Sequence, residues 1–311
     1  MTTPENKNHS QSHNQEQNSV QDSVQYSADI AIIGGSGLYQ MADLTNKRSI
    51  SIATPYGKPS DGIVLGELNG VTVAFLARHG QEHRLTPSTV PYRANIYALK
   101  TLGVRYIISV SAVGSLQEEL KPLDMVIPDQ MIDMTKQRAS TFFGKGAVAH
   151  VSMADPVCSA LTDILARAYA QADIKQGQCH LKATYVCIEG PQFSTRAESN
   201  WYRQMNADII GMTNMPEAKL AREASIAYAT LALVTDFDSW HPTEEDVSAD
   251  YAIQNLMKNA DNAQQVVKQA VALIADEHPK SIAHNALAQA LVTAVETMST
   301  EVRTKLSALL P

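Results

Sequence analysis

The sequence is organised around short apolar runs that each end in glycine or in polar residues. Amphipathic stretches of helical period lie between these runs, so predicted strands and helices alternate along the chain. That alternation predicts a single α/β domain with a central mixed, mostly parallel β-sheet flanked by α-helices. The five runs predicted as buried strands are 28–33, 71–76, 104–110, 181–188 and 227–234.

The two ends of the chain depart from this pattern. Residues 1–27 are rich in Asn, Gln, Ser and Thr and have almost no apolar side chains, so we expect a disordered polar tail. The folded domain is predicted to span 28–311. It should end in a helix over 282–310, whose apolar residues recur at helical spacing and are expected to pack onto the same domain.

Composition excludes several classes of protein. The net charge of -7 and the lack of a long Lys/Arg run argue against nucleic-acid binding. No apolar stretch approaches the ~18 residues that a membrane helix requires, and the polar N-terminus does not resemble a signal peptide. The three cysteines have no metal-ligand spacing, so we expect reduced thiols, no metal site and a cytoplasmic location.

Each predicted strand delivers a polar loop to its carboxyl end, where ligands bind in open α/β sheets. The loop Gly34–Gly37 fails the G-x-G-x-x-G fingerprint because Gln40 occupies the last position, and it lacks the Gly-Lys-Ser/Thr of a P-loop. Its glycines suit either a tight turn or the close approach of a small free anion such as phosphate.

Further polar groups follow the next strands. Arg78 is suited to bidentate phosphate contacts, with a salt bridge as the alternative. We expect the adjacent His79 to donate a hydrogen bond to the same anion. The small residues 111–115 and the pair Met212-Thr213 could face a ligand, although each is equally compatible with a purely structural role.

Asp236 and Asp238 lie two residues apart at the end of an apolar strand. Adenine presents an acceptor at N7 and an amine donor at N6 along one edge. One carboxylate can accept from N6, and the other, when protonated, can donate to N7. Hypoxanthine presents O6 instead, which two carboxylates would repel, so the pair favours 6-aminopurines. A metal site or a solvated helix start is the alternative.

Taken together, these loops resemble the nucleoside phosphorylase family with a trimeric, methylthioadenosine-type subunit. The matching segments occur in family order and cover nearly all of 30–275. They are IIGGSGL at 32–38, TPYGKPS at 54–60, LARHG at 76–80, YRANIYALK at 92–100, SAVGSL at 111–116, EGPQFSTRAES at 189–199, IGMTNMPEAKLARE at 210–223 and VTDFDSW at 234–240.

The resemblance implies a role for each matching residue. Phosphate would be bound by Ser36, Arg78, His79, Ser111, Ala112 and Thr213. The family often has Thr at positions 36 and 111, and Ser keeps the hydroxyl. The purine and ribose would contact Phe193, Met212, Asp236 and Asp238. His150 would reach the neighbouring subunit's sugar, and Ala249 and Ile253 would line the 5' pocket.

The resemblance also implies the reaction: phosphorolysis of methylthioadenosine in a homotrimer with interface active sites, with inorganic phosphate as co-substrate and no cofactor. Asp236 would protonate N7 of the leaving purine. One alternative is a methylthioinosine or inosine/guanosine phosphorylase, because SAVGSL and IGMTNMPEA resemble bacterial relatives that split methylthioinosine, whereas TDFD favours adenine. Another is a sensor that binds nucleosides without turnover. The failed glycine fingerprint disfavours a dinucleotide-dependent oxidoreductase.

Overall fold

The computed structural model describes residues 26–35, 41–242 and 249–311. Most of the predicted polar tail therefore lies outside the described residues. Tyr26, the second-last residue of the predicted tail, packs against the core. The Arg48 guanidinium lies 4.4 Å from the centre of the Tyr26 ring. Tyr26 thus contacts the folded domain although it precedes the predicted domain start at Ala28.

A nine-stranded sheet forms the centre of the described chain, in the order β2-β3-β4-β1-β5-β8-β7-β6-β9. A further pairing between β5 and β9 closes the last five strands into a small barrel. The strands are β1 Ile30–Gly34, β2 Thr45–Ile50, β3 Ile63–Leu68, β4 Val71–Ala77, β5 Tyr106–Ser115, β6 Met125–Asp133, β7 Cys179–Cys187, β8 Ile209–Gly211 and β9 Ala227–Phe237.

The predicted mixed, mostly parallel sheet is confirmed. Strands β1, β4, β5 and β9 run parallel and end at one rim, as the sequence predicted. The fifth predicted strand, β7, is the exception. It is parallel to β8, which is antiparallel to β5, so β7 runs against the other four. The chain directly after β7 still meets the end of β8, because Ile188 N–H donates to Gly211 O at 2.9 Å.

Apolar residues on both faces of the sheet explain why its strands are continuous apolar runs. In β1, Ala31 and Ile33 belong to one core cluster, whereas Ile30 and Ile32 belong to the other. Successive side chains of a strand point to opposite faces, so both faces must be covered by other elements. The helices that cover them are α1 Tyr92–Thr101, α2 Ser159–Gln171, α3 Arg196–Gln204, α4 Asn214–Glu223, α5 Ala249–Glu277 and α6 Thr300–Leu306.

The prediction of one helix over 282–310 is wrong. The segment forms short 3₁₀ turns at Ile282–Asn285 and Val295–Thr297, and α6 begins only after the N-cap Ser299. A backbone bridge from Leu291 to Ala149 competes with helix formation in this segment. Its β-branched residues also disfavour a helix. The apolar stripe does face the same domain, because Leu287, Met298 and Leu306 are buried in its core.

Candidate active site

A β-bulge in β9 sets the position of the two acidic residues. Val234 pairs with Val113 and Asp236 pairs with Gly114, so Thr235 is an extra residue in β9. Its hydroxyl donates to Asp236 Oδ2 at 2.6 Å and also lies 3.2 Å from Val113 O. Bulges of this kind re-aim side chains beside active sites, and here the bulge directs Asp236 toward Gly114.

Asp236 is a buried carboxyl group with an altered pKa. Burial, reinforced by the nearby charge of Asp238 and opposed by the Thr235 hydrogen bond, raises the pKa of Asp236 to about 6. An Asp in water ionises near ~3.9. Close to neutral pH, Asp236 therefore retains a proton much more readily than an exposed Asp does.

Asp238 lies among serine hydroxyl groups. Burial raises the pKa of Asp238, and Ser199, the Ser239 backbone and Ser194 offset only part of this rise. Within the described chain, Asp238 Oδ2 and the Ser194 and Ser199 hydroxyls are buried without a hydrogen-bond partner. These hydroxyl groups are potential donors to the ionised carboxylate. Neither Ser194 nor Ser199 was predicted as a site residue from the sequence.

Arg78 is buried at the carboxyl end of β4, and the salt bridge considered from the sequence is present. Its guanidinium binds both oxygens of Glu217, at 2.8 and 3.0 Å. Nη2 also donates to Ser109 Oγ at 2.7 Å, and Nη1 donates to Val110 O at 3.1 Å. Nη1 carries two N–H groups, so one of them can still donate to an anion at this rim.

His79 follows Arg78 and is partly buried against His83, with 4.3 Å between the ring centres. Burial and the Arg78 charge lower the pKa of His79 to about 4. Its Nδ1 lies 2.8 Å from Leu85 O, and a carbonyl can only accept, so Nδ1 carries the proton. The neutral ring therefore presents Nε2 as an acceptor, rather than the donor expected from the sequence.

The described hydroxyl groups of the predicted phosphate site come from two separate segments. Ser111 lies in the second half of β5, and its Oγ donates to Asn214 Oδ1 at 3.3 Å. Thr213 is buried between β8 and α4, beside the same asparagine. Ala112 is exposed at this rim. Ser36 lies outside the described residues.

Arg138 joins the loops around the site, and sequence reasoning missed it. Its Nη1 donates to Met212 O at 2.5 Å and Met215 O at 2.7 Å, and its Nη2 donates to Glu189 O at 2.7 Å. Its Nε also pairs with the Glu189 carboxylate at 3.3 Å. The Arg138 side chain is 1% exposed. It lies in a loop with no periodic pattern, so the sequence carried no local signal for this role.

The predicted purine and ribose contacts come from the loops that Arg138 joins. Met212 is half-buried against Gly190, where an added Cβ would lie 2.4 Å from Met212 Sδ. Phe193 is 43% exposed, so its ring is available to a planar ligand. Ser239 Oγ donates to Ser194 O at 2.8 Å, which ties the Phe193 loop to the loop after β9.

The other three predicted residues lie beside the C-terminal segment and at the start of α5. His150 is exposed, and its backbone N–H donates to Ala290 O at 2.9 Å in the C-terminal segment. Ile253 is 53% exposed on α5. Ala249 begins α5, but its side chain lies outside the described residues. The roles of these three residues stay predictions.

Neither a metal-binding cluster nor a membrane-spanning helix is found in the described ranges. In residues 26–35, 41–242 and 249–311, no three His, Cys, Asp or Glu side chains are grouped so that they could hold a metal ion. Over the same part of the chain, none of the helices combines the length and the apolar character needed to cross a membrane.

Comparison with known proteins gives a consistent result. A family described as the phosphorylase superfamily matches residues 29–272. The S-methyl-5'-thioadenosine phosphorylase of Synechocystis sp. (strain PCC 6803 / GT-S) is 56% identical over 284 residues, which cover 91% of this chain and 87% of that protein.

Solved structures agree with the sequence relatives. A methylthioadenosine phosphorylase sourced from an Antarctic soil metagenomic library is 84% identical, with a TM-score of 0.89 over 92% of this chain and 99% of that one. The methylthioadenosine phosphorylase of Schistosoma mansoni, in complex with adenine, is 38% identical, with a TM-score of 0.75 over 81% of this chain and 93% of that one.

The fold and these matches define the class of protein: the chain belongs to the phosphorylase superfamily. Within that superfamily it groups with the S-methyl-5'-thioadenosine phosphorylases. The predicted family, the fold class and the type of enzyme, a pentosyltransferase of the purine nucleoside phosphorylase type, are therefore confirmed.

Proposed function

We propose that this enzyme converts S-methyl-5'-thioadenosine and inorganic phosphate to adenine and 5-methylthioribose 1-phosphate, without a cofactor. The buried pair Asp236 and Asp238 at the end of β9 is the observation that carries the proposal. A purine leaves a ribose more readily when N7 is protonated. A carboxyl whose pKa is raised to about 6 is suited to that transfer near neutral pH.

The two carboxyls have different roles in reading the base. Asp236 has one neutral hydrogen-bond donor, Thr235, and can hold the proton that N7 receives. Asp238 is surrounded by hydroxyl groups, and its unpartnered Oδ2 can accept from the N6 amine of adenine. A 6-oxopurine would set its O6 against that acceptor, so the pair favours 6-aminopurines.

The phosphate is bound at the opposite end of the site, near the carboxyl ends of β4 and β5. Arg78 offers its remaining Nη1 donor, and the neutral His79 can accept from a protonated phosphate oxygen. Hydroxyl and backbone groups complete the site. The proposed set is Ser36, Arg78, His79, Ser111, Ala112 and Thr213.

The reaction proceeds through an oxocarbenium-like ribose. The bond from C1' to the purine breaks as Asp236 gives its proton to N7, and a phosphate oxygen then bonds to C1' from the face opposite the base. Hydrogen phosphate loses its proton as the ester forms, which balances the later reprotonation of Asp236. Alignment of the two substrates and preorganised charge supply most of the acceleration.

We also propose that the enzyme is a homotrimer, in which His150 reaches the sugar bound by a neighbouring subunit. Val148 and Val292 are 42% and 66% exposed and are joined by a 2.9 Å backbone hydrogen bond, so they form an apolar surface beside His150. Such a surface favours association. Light scattering should give a mass near 101 kDa, three times the 33.8 kDa of one chain.

Two further assignments are proposals. Phe193 and Met212 contact the purine and ribose, and Ala249 and Ile253 line an apolar pocket that favours a methylthio group over a hydroxyl. We place the enzyme in the cytoplasm, because its three cysteines are free, as expected in a reducing compartment.

The test is product release from methylthioadenosine and methylthioinosine, supplied separately, with and without phosphate. We expect adenine to appear only with phosphate and faster than hypoxanthine from the inosine analogue. Faster hypoxanthine release would contradict the roles of Asp236 and Asp238. Nucleoside binding that phosphate tightens, without any product, would indicate a sensor and contradict the proposed reaction.

A further inference from the structure

Tyr185 in β7 is a buried residue that the mechanism above does not use. Its side chain is 0% exposed, and its hydroxyl has no hydrogen-bond partner among the described residues. A buried hydroxyl without a partner loses its hydration and gains no hydrogen bond in return, so it destabilises the fold. Buried polar groups are nearly always hydrogen-bonded in native proteins, so an unpartnered one requires an explanation.

The position of this hydroxyl is set by Gly211 at the end of β8. A Cβ added at Gly211 would lie 2.0 Å from the Tyr185 hydroxyl oxygen and 2.7 Å from Cζ. Only a glycine therefore lets the phenol extend beneath the backbone here. Gly211 directly precedes Met212 and Thr213, so the phenol ends below the loop that the proposed phosphate site uses.

Three groups of the proposed phosphate site influence the phenol. Burial raises the pKa of Tyr185, and the Arg78 charge, the Thr213 backbone and the Ser111 side chain offset part of this rise. Arg78 directly follows β4, Thr213 follows β8, and Ser111 lies within β5. The hydroxyl therefore lies close to three separate segments of the proposed phosphate site.

We propose that Tyr185 is a positioning residue of the phosphate site, whose hydroxyl donates to Ser111 Oγ when phosphate is bound. Ser111 then offers its own proton to a phosphate oxygen instead of Asn214, so the phenol fixes the direction of that hydrogen bond. The phenol itself does not contact the reacting atoms. This inference rests on the proposed function, because it assumes that phosphate binds beside Ser111 and Thr213.

The test compares Tyr185→Phe with the wild type in two measurements. At saturating nucleoside, the KM for phosphate should rise about tenfold, while the KM for methylthioadenosine stays within twofold. Without phosphate, the melting temperature should be equal or higher, because the variant removes an unpaired buried hydroxyl. Added phosphate should then stabilise the variant less than it stabilises the wild type.

Tyr106→Phe is the matched control. Its hydroxyl donates to Pro279 O at 3.0 Å at the amino end of β5, away from the phosphate loops. This variant should lose thermal stability and keep the wild-type KM for phosphate.

Three outcomes would overturn the role of Tyr185: an unchanged KM for phosphate in Tyr185→Phe, a lower melting temperature of that variant without phosphate, or an equal rise in KM in both variants. A wild-type enzyme that releases adenine without phosphate would instead remove the proposed function, and this inference with it.

Discussion

Arg78 and Glu217 form a buried ion pair in which Nε–Oε2 and Nη2–Oε1 are 2.8 and 3.0 Å apart. Tyr228 and Ser109 also donate hydroxyl hydrogen bonds to Glu217 Oε1, at 2.9 and 3.0 Å. The Arg78 guanidinium at the proposed phosphate site is thus fixed in position, and Glu217 largely neutralises its charge. In the proposed site, phosphate would therefore meet an arginine whose position is already fixed.

Glu217→Gln should lower the free energy of unfolding by about 3 kcal/mol, because a buried cation loses its counter-charge while the side-chain shape is kept. Urea denaturation measures this loss. Glu277→Gln is the control, since it breaks the exposed pair with Arg167 and should leave the urea midpoint unchanged. Equal midpoints for Glu217→Gln and the wild type would contradict the stabilising role of the buried pair.

The raised pKa of Asp236 makes stability depend on pH. The folded state holds this proton up to about pH 6, whereas an unfolded Asp releases it near ~3.9. The ionised carboxyl therefore destabilises the fold progressively between about pH 4 and pH 6, and fully above that. Asp236→Asn should be more stable than the wild type at pH 7, by up to about 3 kcal/mol, and equally stable at pH 4.

Asp133→Asn provides a control of opposite sign for this pH dependence. Burial raises the pKa of Asp133, but hydrogen bonds from Lys219 and Thr135 outweigh it and lower the pKa. The variant should lose stability near neutral pH and recover relative to the wild type in acid. If Asp236→Asn showed the same trend as Asp133→Asn, the raised pKa of Asp236 would be wrong.

Gly114→Ala should impair catalysis more than folding. The added methyl would lie 2.9 Å from Asp236 Oδ1 and 3.4 Å from Asp238 Cβ, so the carboxyl of Asp236 must move. We expect kcat to fall at least about tenfold, since small displacements of catalytic groups are costly. Gly144→Ala, where nothing lies within 4 Å of the new methyl, is the control and should keep the wild-type kcat.

Arg138→Lys should weaken nucleoside binding. Arg138 connects the backbone of Met212 to that of Glu189, and a single ammonium group cannot reach all of these carbonyls. We expect the KM for methylthioadenosine to rise about tenfold or more in steady-state assays. Arg48→Lys, on the exposed strand β2, should leave it unchanged. A normal KM in Arg138→Lys would show that the two loops hold their positions without the guanidinium.

Four of the five predicted strands are apolar runs buried over most of their length, whereas the first half of β7 is partly exposed. Four other strands were not predicted. Strand β3, IVLGEL, is mostly buried, but Gly66 and Glu67 interrupt its apolar run. Strand β2, TNKRSI, is mostly exposed, and β8 has only three residues. Strand β6 contains Pro128, where its register with β7 shifts. Pairing with neighbouring strands, rather than local composition, makes these segments strands.

The residues of the candidate site were likewise only partly predictable from the sequence. Residues such as Asp236 were predictable because they directly follow apolar strands at one rim. Glu217 and Arg138 were not, because their roles come from contacts between distant parts of the chain. Arg78 and Glu217 are 139 residues apart in sequence. In the C-terminal segment, the helical spacing of the apolar residues correctly predicted that they are buried. It wrongly predicted that they lie on one long helix.

The most direct test is the pH dependence of kcat/KM for methylthioadenosine in wild type and Asp236→Asn, normalised to the concentration of phosphate dianion. The wild-type profile should fall above an apparent pKa near 6, because only protonated Asp236 can donate to N7. The Asn variant should be slower by roughly 10²-fold or more and should lack this descending limb. Near-normal turnover by the variant, or the same descending limb, would contradict the role of Asp236 as the acid.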